Sequence, residues 1–205
     1  MKNKWLEWAT QLQSVARAGL AFAENRYDID RYRQIRDLSV EILHQYTEVS
    51  HEKIRDLFTN ETGYQTPKVD IRSAVFRENQ ILMVKEKIDG KWSLPGGWAD
   101  VNTSVSESAV KECLEEAGAQ VNPRRIIAIQ LANKQNELLF PYTIYKIFIE
   151  CELVGINFRE NTETLDARFF SIDSLPELST NRNTLSQIKM CFDAKKCRQF
   201  EAIFD

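Results

Sequence analysis

The sequence predicts an α/β fold preceded by a small helical unit, and three observations carry that prediction. Apolar residues recur at helical spacing up to about residue 65, then switch to strand-like runs from Val69 onward. One well-bounded helix, Ser104 to Gly118, lies between strand candidates on both sides. A last helical pattern, with Leu185, Ile188 and Phe192, follows the strands. Strands on both sides of one helix, with a second helix behind them, describe an α/β/α sandwich with a mixed sheet. The predicted division is a helical accessory and dimerisation domain over 1–65 and an α/β domain over 68–205.

In the first part, Trp5, Trp8, Leu12, Val15 and Ala16 follow helical spacing, with the tryptophans read as core. Tyr32, Ile35, Leu38, Ile42, Leu43 and Tyr46 do the same after a cap region at Asp28 and Asp30. Ser50 can cap a short third helix with Ile54, Leu57 and Phe58, and the segment 63–67 breaks the pattern. Three short amphipathic helices enclose little core, so this unit is expected to pack on the rest of the chain or on a second copy, giving a homodimer. In the second part, 69–76 and 81–85 flank Arg77-Glu78-Asn79-Gln80, a hairpin pattern. The segments 125–131, 142–153 and 167–170 are later strand candidates, the last read as the final strand.

Composition narrows the class. The 205 residues carry a net charge of −3, with no broad basic footprint for nucleic acid. Of the four cysteines, none forms a Cys-x-x-Cys pair, so free thiols in a reducing compartment, the cytoplasm, are expected. His44 and His51 lie far from the acidic helix, which leaves a zinc site or a Ser-His-Asp triad little support. Ala21-Phe22-Ala23 mimics a signal-peptidase site, but Gln11, Gln13 and Arg17 interrupt any apolar stretch before it. No segment approaches transmembrane length, so no membrane partner is expected.

Ser104 is a good N-cap, Glu107 completes a capping-box pattern, and Gly118 is a usual helix stop. Val110, Cys113, Leu114 and Ala117 form the apolar stripe. Glu112, Glu115 and Glu116 stand at i, i+3 and i+4 and share a face roughly opposite it. Like charges at this spacing cost an isolated helix about 0.2–0.5 kcal/mol per pair. The plain explanation is a solvated acidic face, eased by a Lys111–Glu115 pair. Gly96-Gly97, just ahead of the helix, shifts the balance. Adjacent glycines let backbone approach a ligand closely or take positive φ, so a carbonyl there can be aimed at an ion. Hard Mg²⁺ takes a few carboxylates with waters and substrate phosphates at about 2.0–2.1 Å. Carboxylates plus one backbone carbonyl meet that demand.

The run Leu94-Pro95-Gly96-Gly97-Trp98, with Lys111-Glu112-Cys113-Leu114-Glu115-Glu116-Ala117-Gly118, resembles the Nudix box of the Nudix hydrolase superfamily. That box reads Gly, five residues, Glu, seven residues, Arg-Glu, an apolar residue, any residue, Glu-Glu, any residue, Gly, an apolar residue. Aligned on Glu115-Glu116-Ala117-Gly118, its first glycine is Gly97 and its Arg-Glu pair is Lys111-Glu112. Its first Glu falls on Thr103, a departure. In the family that Glu and the Arg brace the loop against the helix. Lys cannot make the bidentate fork of Arg, so Thr103 with Lys111 is self-consistent but leaves the bracing open.

The resemblance implies the Nudix fold over 68–205. It implies that the Gly96 carbonyl, Glu112 and Glu116 ligate Mg²⁺, with Mn²⁺ the alternative. Glu115 would hold a further ion or orient a water. A distal acid, as base or extra ligand, would come from Glu160, Glu163 or Asp166, and Glu163 is favoured because it precedes Ala167-Arg168-Phe169-Phe170. The helices before Gly63-Tyr64-Gln65-Thr66-Pro67-Lys68-Val69-Asp70 resemble the accessory domain of a bacterial subgroup acting on nucleoside diphosphates linked to another group. CDP-choline and ADP-ribose pyrophosphatases are its nearest members.

Metal-dependent hydrolysis of such a linkage is the expected function, with CDP-choline, giving CMP and phosphocholine, ahead of ADP-ribose. RNA ends carry the same linkage but are not favoured by the acidic balance. Lys85 is a candidate phosphate contact, and Trp92 or Tyr142 a stacking surface for a base; each also reads as an ordinary surface or core residue. A non-hydrolytic nucleotide sensor is the alternative of another class. The departures at Thr103 and Lys111 favour it, and the retained Glu112, Glu115 and Glu116 oppose it.

Overall fold

The computed structural model describes residues 4–47, 50, 54, 66–136, 143–197 and 199–205. They fall into two compact units, the first running to Pro67 and the second starting at Lys68.

The first unit pairs helices α1 (Lys4–Phe22) and α2 (Arg26–Tyr46). The cap of α2 is Asn25, whose side-chain oxygen accepts the Tyr27 N–H at 2.8 Å. Asp28 and Asp30, read as the cap region, lie inside the helix and hold Arg31 (2.7 Å) and Arg33 (3.3 Å). Ala9, Val40, Leu43 and Ile54 form the core, with Trp5, Leu6 and Ile42 against it. The inward face of α1 is Ala9, Gln13, Ala16 and Arg17, so the face expected from Trp8 and Val15 is turned: those two are 59% and 51% exposed. Small residues win the interface because they let the helices close up. A Cβ on Gly19 would lie 2.3 Å from the Tyr32 ring. Ile54 is helical, with its N–H on the Ser50 carbonyl. Leu57 and Phe58, expected in the same helix, lie outside the described residues.

The second unit is built on a seven-stranded mixed sheet. Its strands are β1 (Lys68–Arg77), β2 (Gln80–Glu86), β3 (Trp92–Ser93), β4 (Ala119–Leu131), β5 (Ile144–Ile156), β6 (Thr164–Ser171) and β7 (Ile203–Phe204). The order is β3-β2-β1-β5-β4-β7, with β6 paired to β2. β1 runs parallel to β5, and β4 antiparallel to it. Helix α3 (Val105–Ala117) covers one face and α5 (Leu185–Lys196) the other; α4 (Ala132–Gln135) is a single turn.

Period-two alternation sorts the side chains. Ile71, Val75, Leu82 and Val84 pack with Ala109, Cys113 and Ala117 of α3. Ala74, Phe76, Ile81 and Met83 pack with Ile188, Cys191 and Phe192 of α5. The α/β/α sandwich stands as expected. Two strands depart from expectation. β4 begins at Ala119 rather than near 125, passing Pro123 by a register shift. β7, not β6, is the last strand, and it adds an edge beside β4.

β1 and β2 pair only near their turn, at Phe76–Ile81 and Arg77–Gln80. Beyond it they splay apart, and the glycine segment fills the gap along β1. The Ser73 N–H donates to the Pro95 carbonyl (2.9 Å), the Ile71 N–H to Gly97 (2.8 Å), and the Ala99 N–H to Val69 (2.9 Å). The glycine loop is therefore held along β1 by backbone hydrogen bonds, with an isolated bridge between Asp70 and Trp98.

All four cysteines are free, and only Cys197 is exposed. Among the described residues no helix is long and apolar enough to cross a membrane.

Candidate active site

The glycine segment and α3 meet at Gly96. Its φ of +145° is one that side-chain-bearing residues rarely adopt, and a Cβ there would lie 1.9 Å from the Ile71 carbonyl oxygen. Its N–H donates to Glu116 Oε2 at 2.8 Å. The carbonyls on either side, of Pro95 and Gly97, are taken by β1. The Gly96 carbonyl accepts no hydrogen bond among the described residues, although Gly96 is buried. Gly97 lies against Glu112: a Cβ on it would sit 3.1 Å from Glu112 Oε2.

α3 is fixed at both ends as its sequence dictates. Ser104 and Glu107 form the reciprocal capping box. Gly118, at φ 60°, sends its N–H to the Cys113 and Leu114 carbonyls. The three carboxylates do not share one solvated face, however. Glu116 is 3% exposed, Glu112 half-buried and Glu115 exposed, while Leu114 of the expected apolar stripe is 52% exposed. Glu116 turns inward because the Gly96 N–H waits there. Burial pushes its carboxyl up to about 8, with Glu86 and Glu112 adding to the rise and Arg72 and the Gly96 N–H opposing it. Burial also raises Glu112, with Glu115 and Glu163 adding to it and Lys111 and Arg72 opposing it. Lys111 reaches Asp100 (2.5 Å) and, more loosely, Glu115 (3.9 Å). Asp100, from the glycine segment's own end, thus ties loop to helix where Thr103 cannot.

The distal acids separate clearly. Glu160 pairs with Lys87 (3.0 Å) and Asp166 with Arg168 (2.6 Å). Glu163 has no ion pair among the described residues and adds to the field at Glu112. Its loop is anchored by Asn161, whose oxygen accepts the Glu163 and Thr164 N–H groups (both 2.9 Å). The Asn161 amide nitrogen donates to the Glu115 carbonyl (2.9 Å), and Thr164 Oγ1 to that of Glu116 (2.6 Å). Orphan carbonyls at the end of α3 are so satisfied, and the loop is locked to the helix. An open cavity of about 500 Å³ adjoins this junction, lined by Glu115, Gln120, Asn157, Arg159 and Asn161 among others.

Lys85 and Trp92 are not brought to the carboxylates. Lys85 follows Val84 of the α3-facing set, so it projects toward the other face. Trp92 is buried in the α5-side core, edge-on to Phe170 at 4.8 Å, and offers no surface for a base. Tyr142 lies outside the described residues. Sequence reading missed Arg72, which is buried, donates from its Nε to Asp70 Oδ1 at 2.9 Å, and lies in the field of both Glu112 and Glu116. The one available signal was Asp70 and Arg72 sharing a parity in a strand that also carries Ile71, Ala74, Val75 and Phe76. Asn161 had a clearer signal, since Asn ahead of Thr-Glu-Thr is an Asx-turn pattern.

Among the described residues, no three His, Cys, Asp or Glu side chains converge into a ready-made metal cage. The donors suit a hard divalent cation nonetheless. They are all oxygen, two of them carboxylates whose ionised forms burial disfavours, and the third a buried carbonyl with no hydrogen bond. Mg²⁺ is commonly held by one or two carboxylates, keeping waters and substrate oxygens for its other positions.

Residues 66–189 match the family model described as the NUDIX domain, and residues 3–58 match one described as a UDP-X-like, N-terminal oligomerisation domain. The chain belongs to the Nudix hydrolase family and is a pyrophosphatase. It is 45% identical over 205 residues to YjhB of Bacillus subtilis (strain 168), named as a candidate ADP-ribose pyrophosphatase, covering 100% of this chain and 99% of that protein. A crystal structure of an ADP-ribose pyrophosphatase from Streptococcus suis 89-1591 is 45% identical with a TM-score of 0.64, covering 68% of this chain and all (100%) of that one. A UDP-X diphosphatase structure aligns over 99% of this chain and 100% of its own, at 28% identity and a TM-score of 0.64. Nudix hydrolases generally use divalent metal ions.

Proposed function

We propose that this chain hydrolyses the pyrophosphate linkage of a nucleoside diphosphate joined to another group, with ADP-ribose the first substrate. The observation that carries the chemistry is Glu116, buried on the Gly96 N–H beside Glu112 and a Gly96 carbonyl that accepts no hydrogen bond among the described residues. ADP-ribose moves ahead of CDP-choline because relatives 45% identical to this chain bear the ADP-ribose name.

In this reading the Gly96 carbonyl, Glu112 and Glu116 hold Mg²⁺ or Mn²⁺. Such an ion supplies charge neutralisation at the diphosphate oxygens. The side chains do the rest. Glu163 takes the proton of the attacking water as its oxygen bonds to phosphorus, and the bridging P–O bond breaks to leave two monophosphates. Glu115, exposed beside the cavity, orients that water or holds a second ion. Asn161 keeps the separation of Glu163 from α3 constant.

A panel of ADP-ribose, CDP-choline, UDP-sugars and 5′-triphosphate RNA, each with Mg²⁺, tests this by product release. Turnover of ADP-ribose above the others is expected. Tight binding with no turnover of any member would favour the sensor reading, and turnover of RNA alone would overturn a small-molecule substrate.

Residues 1–65 are read as the dimerisation domain and 68–205 as the hydrolase domain. Trp8, Val15, Phe22 and Leu38, each at least half exposed on the first unit, support burial against a second copy. Sedimentation velocity is expected to give a dimer, and a monomer at tens of micromolar would count against it. Four free thiols support a cytoplasmic setting.

A further inference from the structure

The buried polar groups behind the glycine segment form a closed circuit around one residue, Leu94. The Leu94 N–H donates to Asn183 Oδ1 at 2.7 Å, across 89 residues of sequence. The Leu94 carbonyl accepts from Arg72 Nη1 at 3.2 Å. Arg72 Nε donates to Asp70 Oδ1 (2.9 Å), and Asp70 Oδ2 faces Lys146 Nζ at 3.5 Å. Lys146 Nζ donates in turn to the carbonyls of Asn181 (3.1 Å) and Arg182. Those two residues lead directly into Asn183, which closes the circuit. A side branch ties the preceding residue: Ser93 Oγ donates to Glu86 Oε1 at 2.5 Å, and Glu86 Oε2 holds Arg182 at 3.1 Å. All of these side chains except Arg182 are buried.

Nothing in strand pairing requires this. Pro95 and Gly97 are held by β1, whereas both backbone polar groups of Leu94 are held by side chains from elsewhere. Asn183 is 0% exposed, yet its amide nitrogen has no hydrogen-bond partner among the described residues. Leaving such a donor unpaired costs about 1–3 kcal/mol. An asparagine selected for stability alone would be poorly chosen here. Its oxygen, facing the one N–H that lies two residues before Gly96, is what the position uses. A neutral acceptor also adds no charge to a region already holding Arg72, Lys146, Asp70 and Glu86.

We propose that Asn183 is a positioning residue for hydrolysis: its oxygen fixes the Leu94 N–H and, through the backbone that follows, the direction of the Gly96 carbonyl. This rests on the reading of Gly96 as a metal donor. Asn183→Leu removes the acceptor while keeping the branching at Cγ, and Asn183→Asp keeps the acceptor. Mn²⁺ affinity by calorimetry, kcat and KM on the best substrate of the panel, and exchange of the Leu94 amide by NMR are the readouts. In Asn183→Leu, Mn²⁺ binding is expected to weaken about 10-fold or more. The loss appears in kcat with KM little changed, and Leu94 exchange quickens. Asn183→Asp restores Mn²⁺ binding to within about threefold of wild type, the scale of a supporting contact retained.

A folded Asn183→Leu with wild-type Mn²⁺ affinity and kcat overturns the proposal while leaving the metal site standing. Wild-type protein that binds no Mn²⁺ overturns the metal site itself, and the role of Asn183 with it. If Asn183→Leu does not fold, Asn183→Ser, which withdraws the oxygen without adding bulk, takes its place. Faster Leu94 exchange with unchanged Mn²⁺ affinity would then overturn the proposal.

Discussion

Glu116→Gln is expected to abolish most hydrolysis while leaving the metal-free protein folded and, at pH 8, more stable than wild type. Glutamine keeps an oxygen for the Gly96 N–H and removes a buried charge. The Glu116 carboxyl rises from 4.5 to about 8 on burial. Between those values the folded chain holds a proton that the unfolded chain has released. The stability carried by this group is therefore complete below about pH 4.5 and is lost as the pH rises through 8. Glutamine has no such loss, so its advantage in melting temperature should be absent near pH 4 and grow toward pH 8. Activity moves the opposite way. With Glu116 holding the metal as proposed, its loss should lower kcat roughly 10³-fold, or about 4 kcal/mol. Mg²⁺ should raise the wild-type melting temperature more at pH 8 than at pH 5, where protons compete for the carboxylate, and should do little for the variant. A variant that turns over at the wild-type rate under saturating Mg²⁺ would remove Glu116 from the site.

Gly96→Ala is expected to destabilise the fold itself. The new Cβ would meet the Ile71 carbonyl oxygen at 1.9 Å, on backbone at φ +145°. Strain and overpacking together cost on the order of 3 kcal/mol, a fall of roughly 6–12 °C in melting temperature for a chain of this size. Gly97→Ala is the matched control. Its Cβ would press only the end of Glu112, at 3.1 Å. That variant should melt close to wild type and lose Mn²⁺ affinity instead. Equal melting of Gly96→Ala and wild type by calorimetry would contradict the geometry of the loop.

Much of this site is legible in the residues, because its signals are local. The capping box at Ser104 and Glu107, the stop at Gly118 and the paired glycines each act within a turn or two of chain. The layering follows from period-two alternation and helical spacing in the same way. What escapes is what depends on a partner far along the chain. Helical spacing places Glu112, Glu115 and Glu116 together, but only the Gly96 N–H explains why Glu116 turns inward. Trp8 and Val15 read as core by size, yet Ala9, Ala16 and Gly19 take the helix interface by being small. Trp92 read as a stacking surface because aromatic content does not say which face of the sheet it will meet. Asn183 carries no local signal, and the parity shared by Asp70 and Arg72 names no target, since Arg72 and Asn183 each act on Leu94 from another segment.

The splay between β1 and β2 has a thermodynamic consequence. The segment that fills it is bonded to β1 at Pro95, Gly97 and Ala99, so its conformational entropy is lost once, when the sheet forms. In the proposed reading, an arriving nucleotide does not have to order this backbone, and more of its contact energy is left for affinity and for reaching the reactive geometry.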